Sequence, residues 1–153
     1  MERRILVYAP PGRDTALVEK VFRAASIEVS HCDTPAKLGE QLRIGTGALI
    51  LGEETLSPPT LATLSEYLRE QPAWSDLPIL LLAKHGADSL EAQRAIEELG
   101  NVTLLERRPV RTMALISAAR STLRARERQY EMRALSQRKD EFLAALAHEL
   151  RNP

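Results

Sequence analysis

The sequence lacks features that several large classes of protein require. Its 153 residues include one cysteine, Cys32, which excludes an internal disulfide and a cysteine-based zinc cluster. No run of about 18 apolar residues occurs, and the start of the chain carries no signal-peptide cleavage pattern. The 21 Lys and Arg residues balance the 21 Asp and Glu residues, so neither nucleic acid nor an anionic membrane is an expected partner. These absences predict a cytoplasmic protein without a membrane span.

Apolar residues make up 44% of the chain, enough to fill a core, and they fall in short runs. Five runs of strand length alternate with helical patterns between residues 3 and 120. The predicted strands are Ile5–Ala9, Ile27–His31, Gly47–Leu51, Pro78–Ala83 and Val102–Leu105. Because strands that alternate with helices form parallel sheets with right-handed crossovers, we predict an α/β unit of (βα)5 type with a five-stranded parallel sheet.

Capping residues mark where the predicted helices begin and end. Thr34-Pro35 and Ser57-Pro58 each place a cap residue before a proline at the first helical position. Asp88 with Glu91 forms a capping-box pattern for the fourth helix, and Gly100 ends that helix. The apolar residues Leu90, Ile96 and Leu99 lie along this fourth predicted helix.

A long helix is predicted after the fifth strand, because no glycine or proline interrupts residues 111–151 and helix formers dominate there. Such a helix spans about 60 Å, more than one domain can cover. Its far half therefore needs a second helix, most economically its symmetry mate in a homodimer. The apolar spacing has two phases, Ile116–Leu123–Tyr130 and then Leu135–Phe142. This break in heptad register predicts a parallel coiled coil that changes register easily.

Residues 138–153 have the sequence Arg-Lys-Asp-Glu-Phe-Leu-Ala-Ala-Leu-Ala-His-Glu-Leu-Arg-Asn-Pro. This segment resembles the H-box of the largest sensor histidine kinase family, whose usual form is Lys-x-Glu-Phe-Leu-Ala-x-x-x-His-Glu-(Leu/Ile)-Arg-(Asn/Thr)-Pro. The resemblance implies that His148 is the phosphoacceptor and that Glu149 orients or deprotonates its ring. It also implies that Asn152 helps to place the water that dephosphorylates a partner response regulator, and Pro153 is expected to bend the helix.

The remaining parts of a histidine kinase do not occur in this sequence. We expect ATP and Mg²⁺ to bind in a separate catalytic domain, and we predict no cofactor or metal site within residues 1–153. Pro10-Pro11-Gly12-Arg13 is the nearest candidate for a phosphate loop, and it lacks the lysine of a Walker motif. The chain is therefore expected to be the N-terminal segment of a longer, cytoplasmic, hybrid-type kinase and to be inactive alone.

The (βα)5 unit resembles a response-regulator receiver domain of flavodoxin-like fold. The resemblance is carried by Trp74-Ser75-Asp76-Leu77-Pro78, which looks like the approach to the fourth strand, and by Arg108-Pro109, where receivers have Lys-Pro. The residues that do receiver chemistry are missing: the magnesium-binding acids, the phosphoacceptor aspartate, the hydroxyl and the lysine. The positions concerned are Ala9, Pro10, Gly52 followed by Glu53, Ala83 and Arg108. Without the acids there is no oxygen cage for Mg²⁺, so we predict a pseudo-receiver.

Acidic residues near the third strand leave two readings open. Glu53 or Glu54 either mimics a phosphorylated aspartate or lies in a solvated loop, and we favour the loop. The aspartates considered and set aside as relocated phosphoacceptors are Asp14, Asp33 and Asp76.

Other reactive or aromatic residues also have a structural and a functional reading. His31 and His85 lack the neighbouring ligands of a metal site, and Cys32 is expected to be a part-buried thiol rather than a redox switch. Trp74 either anchors a partner or covers the core, and we favour the core. The arginines in 107–138 alternate with acids and lack stacking aromatics, so we expect a solvated coiled-coil face rather than a nucleic-acid site.

Three segments follow from these patterns: a pseudo-receiver at 1–120, a signalling helix at 110–137 that shares the last receiver helix, and the start of the phosphotransfer helix at 138–153. The leading hypothesis is a regulatory and dimerisation segment that relays a signal to His148, which passes phosphate from ATP to a response-regulator aspartate. The alternative is a stand-alone pseudo-receiver adapter that dimerises and docks signalling partners. A ligand site at the carboxyl edge of the sheet is a weaker third reading, because no convergent polar groups are expected there.

Overall fold

The computed structural model describes residues 3–83, 89–106 and 111–151. Strands and helices alternate along these residues as predicted, with one short 3₁₀ turn, Glu53–Thr55, after the third strand. In chain order the other elements are β1 Ile5–Tyr8, α1 Arg13–Ala24, β2 Val29–Cys32, α2 Pro35–Ile44, β3 Ala48–Gly52, α3 Pro58–Glu70, β4 Ile79–Ala83, α4 Leu90–Leu99, β5 Val102–Glu106 and α5 Thr112–Arg151.

The five strands form one parallel sheet in the order β2-β1-β3-β4-β5. The predicted α/β (βα)5 architecture with a five-stranded parallel sheet is confirmed. The three central strands are buried along their whole length, whereas β2 and β5 are partly exposed. Helices cover both faces of a parallel sheet, which is why the central strands are continuous apolar runs rather than alternating ones.

Two apolar clusters hold the helices on the two faces of the sheet. On one face, α2, α3 and α4 pack against side chains that include Leu6, Leu49 and Leu81. On the other face, Phe22 of α1 and Leu115 of α5 pack against the intervening side chains of the same strands. The alternation of side chains along each strand therefore sends neighbouring residues into different clusters.

The predicted helix starts are confirmed for α2 and α3 and corrected for α4. Thr34 accepts a hydrogen bond from the backbone of Lys37 at 3.2 Å, and Ser57 caps α3 in the same manner. At α4 the cap is Ser89, whose Oγ accepts from the Ala92 backbone nitrogen at 3.0 Å. The prediction that Asp88 is the cap residue of this helix is therefore wrong. Asp88 itself lies outside the described residues.

The buried face of α4 contains only one of the three large apolar residues noted in its sequence. Leu90 is 58% exposed and Ile96 36% exposed, whereas Ala92, Ala95 and Leu99 are buried. The face that meets the sheet carries two alanines, whose small side chains let the helix approach the sheet closely. The positions of the large apolar residues in the sequence do not by themselves identify this face. Gly100 ends the helix with a φ of +81°, as its position predicted.

The last helix, α5, is continuous over 40 residues. Its first half packs on the head with Leu115 and Ala119 buried, and residues 131–151 are exposed throughout. We use "head" for the described residues of 3–106. Within the described residues, no helix combines the length and apolarity needed to cross a membrane.

Candidate functional site

The carboxyl ends of β1, β3 and β4 meet at one edge of the sheet, where a receiver carries its chemistry. Ala9 is half-buried, Pro10 is exposed, and Gly52 and Ala83 are buried. The register places Gly52 beside Leu82, the residue before Ala83. The positions at which a receiver would carry its acids and its hydroxyl therefore lie close together in this structure. Arg108 lies outside the described residues.

The Glu54 side chain folds back over Gly52. A Cβ atom placed on Gly52 would lie 2.8 Å from the Glu54 carboxylate carbon and from both of its oxygens. The 3₁₀ turn produces this reversal, and Thr55 stabilises it by donating from Oγ1 to the Gly52 carbonyl at 2.6 Å. The backbone at Gly52 is ordinary extended chain, with φ −79° and ψ 139°. Glycine suits this position because the Glu54 carboxylate occupies the space that a Cβ atom would need, and not because the backbone requires glycine.

One residue at this edge differs from its predicted setting. Glu53 is 9% exposed, so the solvated-loop reading is wrong for this residue. Asp14 and Glu54 line one small cavity of about 20 Å³, together with Thr15, whose Oγ1 donates to the Pro10 carbonyl at 2.8 Å. The rest of the lining of this cavity is apolar, and no group of three or more possible metal ligands occurs among the described residues.

We expect that Gly52→Asp does not restore receiver phosphorylation. The new side chain must displace the Glu54 carboxylate, and the neighbouring strand end offers Ala9 and Pro10 in place of magnesium ligands. After incubation with acetyl phosphate and Mg²⁺, mass spectrometry should find no added phosphoryl group in the head. Gly52→Asn is the matched control, since it has the same size and no carboxylate. Labelling of the aspartate variant above that control would contradict the pseudo-receiver assignment.

His31 and Cys32 end β2 beside the same edge. The His31 Nε2 atom lies 2.7 Å from the Ala9 carbonyl oxygen, so this histidine is part of the fold. Cys32 is 3% exposed, and burial, followed by the charge of Asp33, raises the pKa of its thiol to about 11. A thiol with so high a pKa is a poor nucleophile at neutral pH, which fits the structural reading. His85 lies outside the described residues.

His148 and Glu149 lie far along α5, beyond the last contact that this helix makes with the head. Both side chains are exposed, and neither makes a side-chain hydrogen bond or ion pair within the described residues. Asn152, the third predicted residue of this site, lies outside the described residues. The predicted catalytic residues are thus presented on a bare helix, where a partner molecule can reach them.

The large apolar residues exposed on the far half of α5 form a stripe, which we call the apolar stripe. At about 100° per residue, its members fall within roughly a quarter of the helix circumference. They are Met132, Leu135, Phe142, Leu143, Leu146 and Leu150. His148 falls on the opposite side of the helix by the same geometry. Covering the stripe with another helix would therefore leave the imidazole accessible.

The near half of α5 is held to the head by a contact that the sequence did not predict. Trp74, in the loop before β4, packs on Tyr130 with ring centroids 5.2 Å apart. The Arg133 guanidinium lies 4.7 Å from the Trp74 ring centroid. The side-chain amide of Gln129 accepts from the Asp76 backbone nitrogen at 2.8 Å and donates to the Asp76 carbonyl at 2.7 Å. We call this region the head–helix junction.

This junction revises two readings. Trp74 covers α5 rather than the centre of the core, and Leu123 and Tyr130 of the first heptad phase pack on their own head. The head therefore holds the helix as far as Arg133, beyond the predicted limit at residue 120. Arg126 is 3% exposed and is not part of a solvated face. The division into three segments stays a prediction.

The architecture defines the class of fold as that of response-regulator receivers. No family model matches the chain, and no curated protein matches it. Solved receiver structures do. NtrX from Brucella abortus aligns with a TM-score of 0.71 at 20% identity, covering 92% of this chain and 30% of that one. A response regulator receiver protein from Sinorhizobium medicae WSM419 aligns with a TM-score of 0.63 at 20% identity, covering 82% of this chain and 97% of that one.

The long helix has a counterpart among solved structures too. A fusion that carries the trimeric coiled coil of yeast Spc42 aligns with a TM-score of 0.65 at 16% identity, covering 97% of this chain and 94% of that one. The chain spans about 30% of the length of NtrX. At these identities the likeness shows the fold: a flavodoxin-like receiver head followed by a long helix.

Proposed function

We propose that this chain is the regulatory and dimerisation segment of a two-component sensor histidine kinase, with His148 as its phosphoacceptor. One observation carries the proposal. The histidine of an H-box-like sequence is exposed on a helix that has left its domain, on the side opposite the apolar stripe. Pairing of two such helices through the stripe buries the apolar side chains and leaves both imidazoles free to react.

Phosphoryl transfer requires mainly that the protein positions the nucleophile and stabilises the charge of the phosphoryl group. A neutral imidazole is a nucleophile near neutral pH. The ring nitrogen of His148 attacks the γ-phosphorus of ATP and ADP leaves. The phosphoryl group then passes to an aspartate of a response regulator. ATP and Mg²⁺ belong to a catalytic domain outside these residues, and Glu149 orients the ring.

The receiver-like head acts through its shape. With Ala9, Pro10 and Gly52 at the carboxyl edge, it holds neither the magnesium ion nor the acyl phosphate of a working receiver. Its hold on α5 sets the direction and rotation of the helix as far as Arg133. A signal that alters this hold rotates or shifts the apolar stripe, and with it His148, relative to the catalytic domain.

The coding sequence downstream of codon 153 tests the proposal directly. We expect a second helix that completes the dimerisation hairpin, followed by an ATP-binding domain with Asn-rich and Gly-rich boxes. A stop codon at that point would reject the kinase reading. The adapter reading, a pseudo-receiver that dimerises and docks signalling partners without catalysis, would then replace it.

A further inference from the structure

A cavity of about 450 Å³ lies at the head–helix junction, at the amino edge of the sheet and opposite the degenerate receiver site. The end of α2, the end of α3 with its following loop, and α5 all contribute walls. The residues used below are Arg43, Tyr67, Trp74, Arg126, Tyr130 and Arg133. A ligand in this cavity would touch both the head and the long helix.

Arg126 lines this cavity, and its charge has no counter-ion among the residues that the structure describes. The residue is 3% exposed. It donates from Nη1 to two neutral acceptors, Ser75 Oγ at 2.8 Å and Gln129 Oε1 at 2.7 Å. Within the described residues, no carboxylate lies within 4.0 Å of this guanidinium, and its buried Nε has no hydrogen-bond partner. A buried charge is costly unless an opposite charge or several hydrogen bonds offset it.

Aromatic faces offset part of this cost. The Arg126 guanidinium carbon lies 5.8 Å from the Trp74 ring centroid and 5.2 Å from that of Tyr130, within cation–π range. These rings and Tyr67 also give the cavity flat apolar surface. Arg43 and Arg133 add two positive charges to the lining, against one carboxylate, that of Glu70, in the described part of the lining. The cavity is thus positive, partly aromatic and short of an anion.

We propose that the head–helix cavity binds a small organic anion, a carboxylate or phosphate on a flat apolar body. The anionic group faces Arg43, Arg126 and Arg133, and the flat body stacks on the aromatic side chains. Because the lining comes from both the head and α5, a bound anion ties them together and favours one helix direction. This regulatory consequence rests on the proposed kinase function, whereas the binding itself does not.

Trp74 allows binding to be measured without a label, because it is the one tryptophan of the chain. We expect its fluorescence to change saturably when phenyl phosphate or benzoate is added, and phenol or inorganic phosphate alone to act only weakly. Arg43→Gln removes an exposed charge alone, whereas Arg133→Gln also removes the guanidinium that lies over the Trp74 ring. Each should weaken binding of the anionic probe about 10-fold. Arg128→Gln, on the same helix and outside the cavity lining, is the matched control and should bind as the parent does.

Three results would overturn the proposal. The first is no saturable response to either anionic probe. The second is an equal response to phenol, which would make the cavity merely apolar. The third is an affinity for the anionic probe that stays unchanged in the Arg43→Gln and Arg133→Gln variants, or that falls in the Arg128→Gln variant as much as in those two. Phenyl phosphate and benzoate, titrated separately, identify which anionic group is preferred. Since fluorescence of the chain is the readout, failure here would leave the assignment of His148 untouched.

Discussion

We expect that replacing His148 by glutamine abolishes ATP-dependent labelling of the proposed full-length kinase, with a loss of about a thousandfold or more. Glutamine keeps the helix and its polarity, because it is a good helix former, but its amide nitrogen is no nucleophile. The side chain is exposed and contacts no other described element, so the substitution should leave folding unchanged. Incorporation of radiolabelled phosphate that is acid-labile and base-stable measures the effect, since phosphohistidine has that stability.

The control for this experiment is Ala145→Gln, an exposed position on the same helix that takes the same new side chain. It should retain labelling close to that of the parent protein. Circular dichroism of both variants checks that helix content is equal. Persistent labelling of the His148→Gln protein would remove the basis of the kinase proposal, whatever the head and the helix do.

Placing a charge in the apolar stripe separates the two chains of the expected homodimer. Phe142 is 66% exposed in the single chain, an unusual setting for so large an apolar side chain, and pairing of two helices would bury it. Phe142→Glu loses about 2–3 kcal/mol of apolar burial per chain and puts two like charges face to face. The dimer dissociation constant should therefore rise by about a thousandfold, corresponding to roughly 4 kcal/mol for two chains. Sedimentation equilibrium across a range of concentrations measures it.

Ala144→Glu provides the matched control, because it introduces the same charge two residues away, on the other side of the helix. We expect that variant to sediment as the parent does. A dissociation constant that is equal in the two variants would mean that the stripe is not the interface. A parent chain that is monomeric at every concentration would reject dimerisation through α5 altogether.

The pattern of apolar runs predicted the sheet and its helices because those features depend on local periodicity. Central runs such as Leu49–Leu51 have no polar alternation, and only a strand covered on both faces accommodates that. The caps at Thr34 and Ser57 were equally local signals, since a cap bonds to a backbone nitrogen three residues on. The absence of glycine and proline from residues 111–151 predicted the long helix. Strand alignment in a parallel sheet then brought Ala9, Gly52 and Ala83 to one edge, as expected.

Contacts between distant segments could not be anticipated in the same way. The sequence separates Trp74 from Arg126 and Tyr130 by about fifty residues, and nothing local indicates that this loop and this helix meet. The Glu54 carboxylate lies over Gly52 because a single 3₁₀ turn reverses the chain, a detail set by a few backbone angles. The sheet-facing side of α4 is likewise decided by how closely the helix approaches the sheet, which favours alanine at two of its buried positions.

The order of residues by itself determined the receiver-type sheet, the absence of an acidic pair at Ala9-Pro10 and of an aspartate at position 52, and the histidine-bearing helix, because periodicity, missing residue types and motif spacing are all local properties. Only the tertiary structure decided how far the head holds that helix, which arginine is buried without a counter-ion and which side of the helix remains uncovered. Those features depend on packing between segments far apart in the chain, where the geometry of the whole fold selects the neighbours of each side chain.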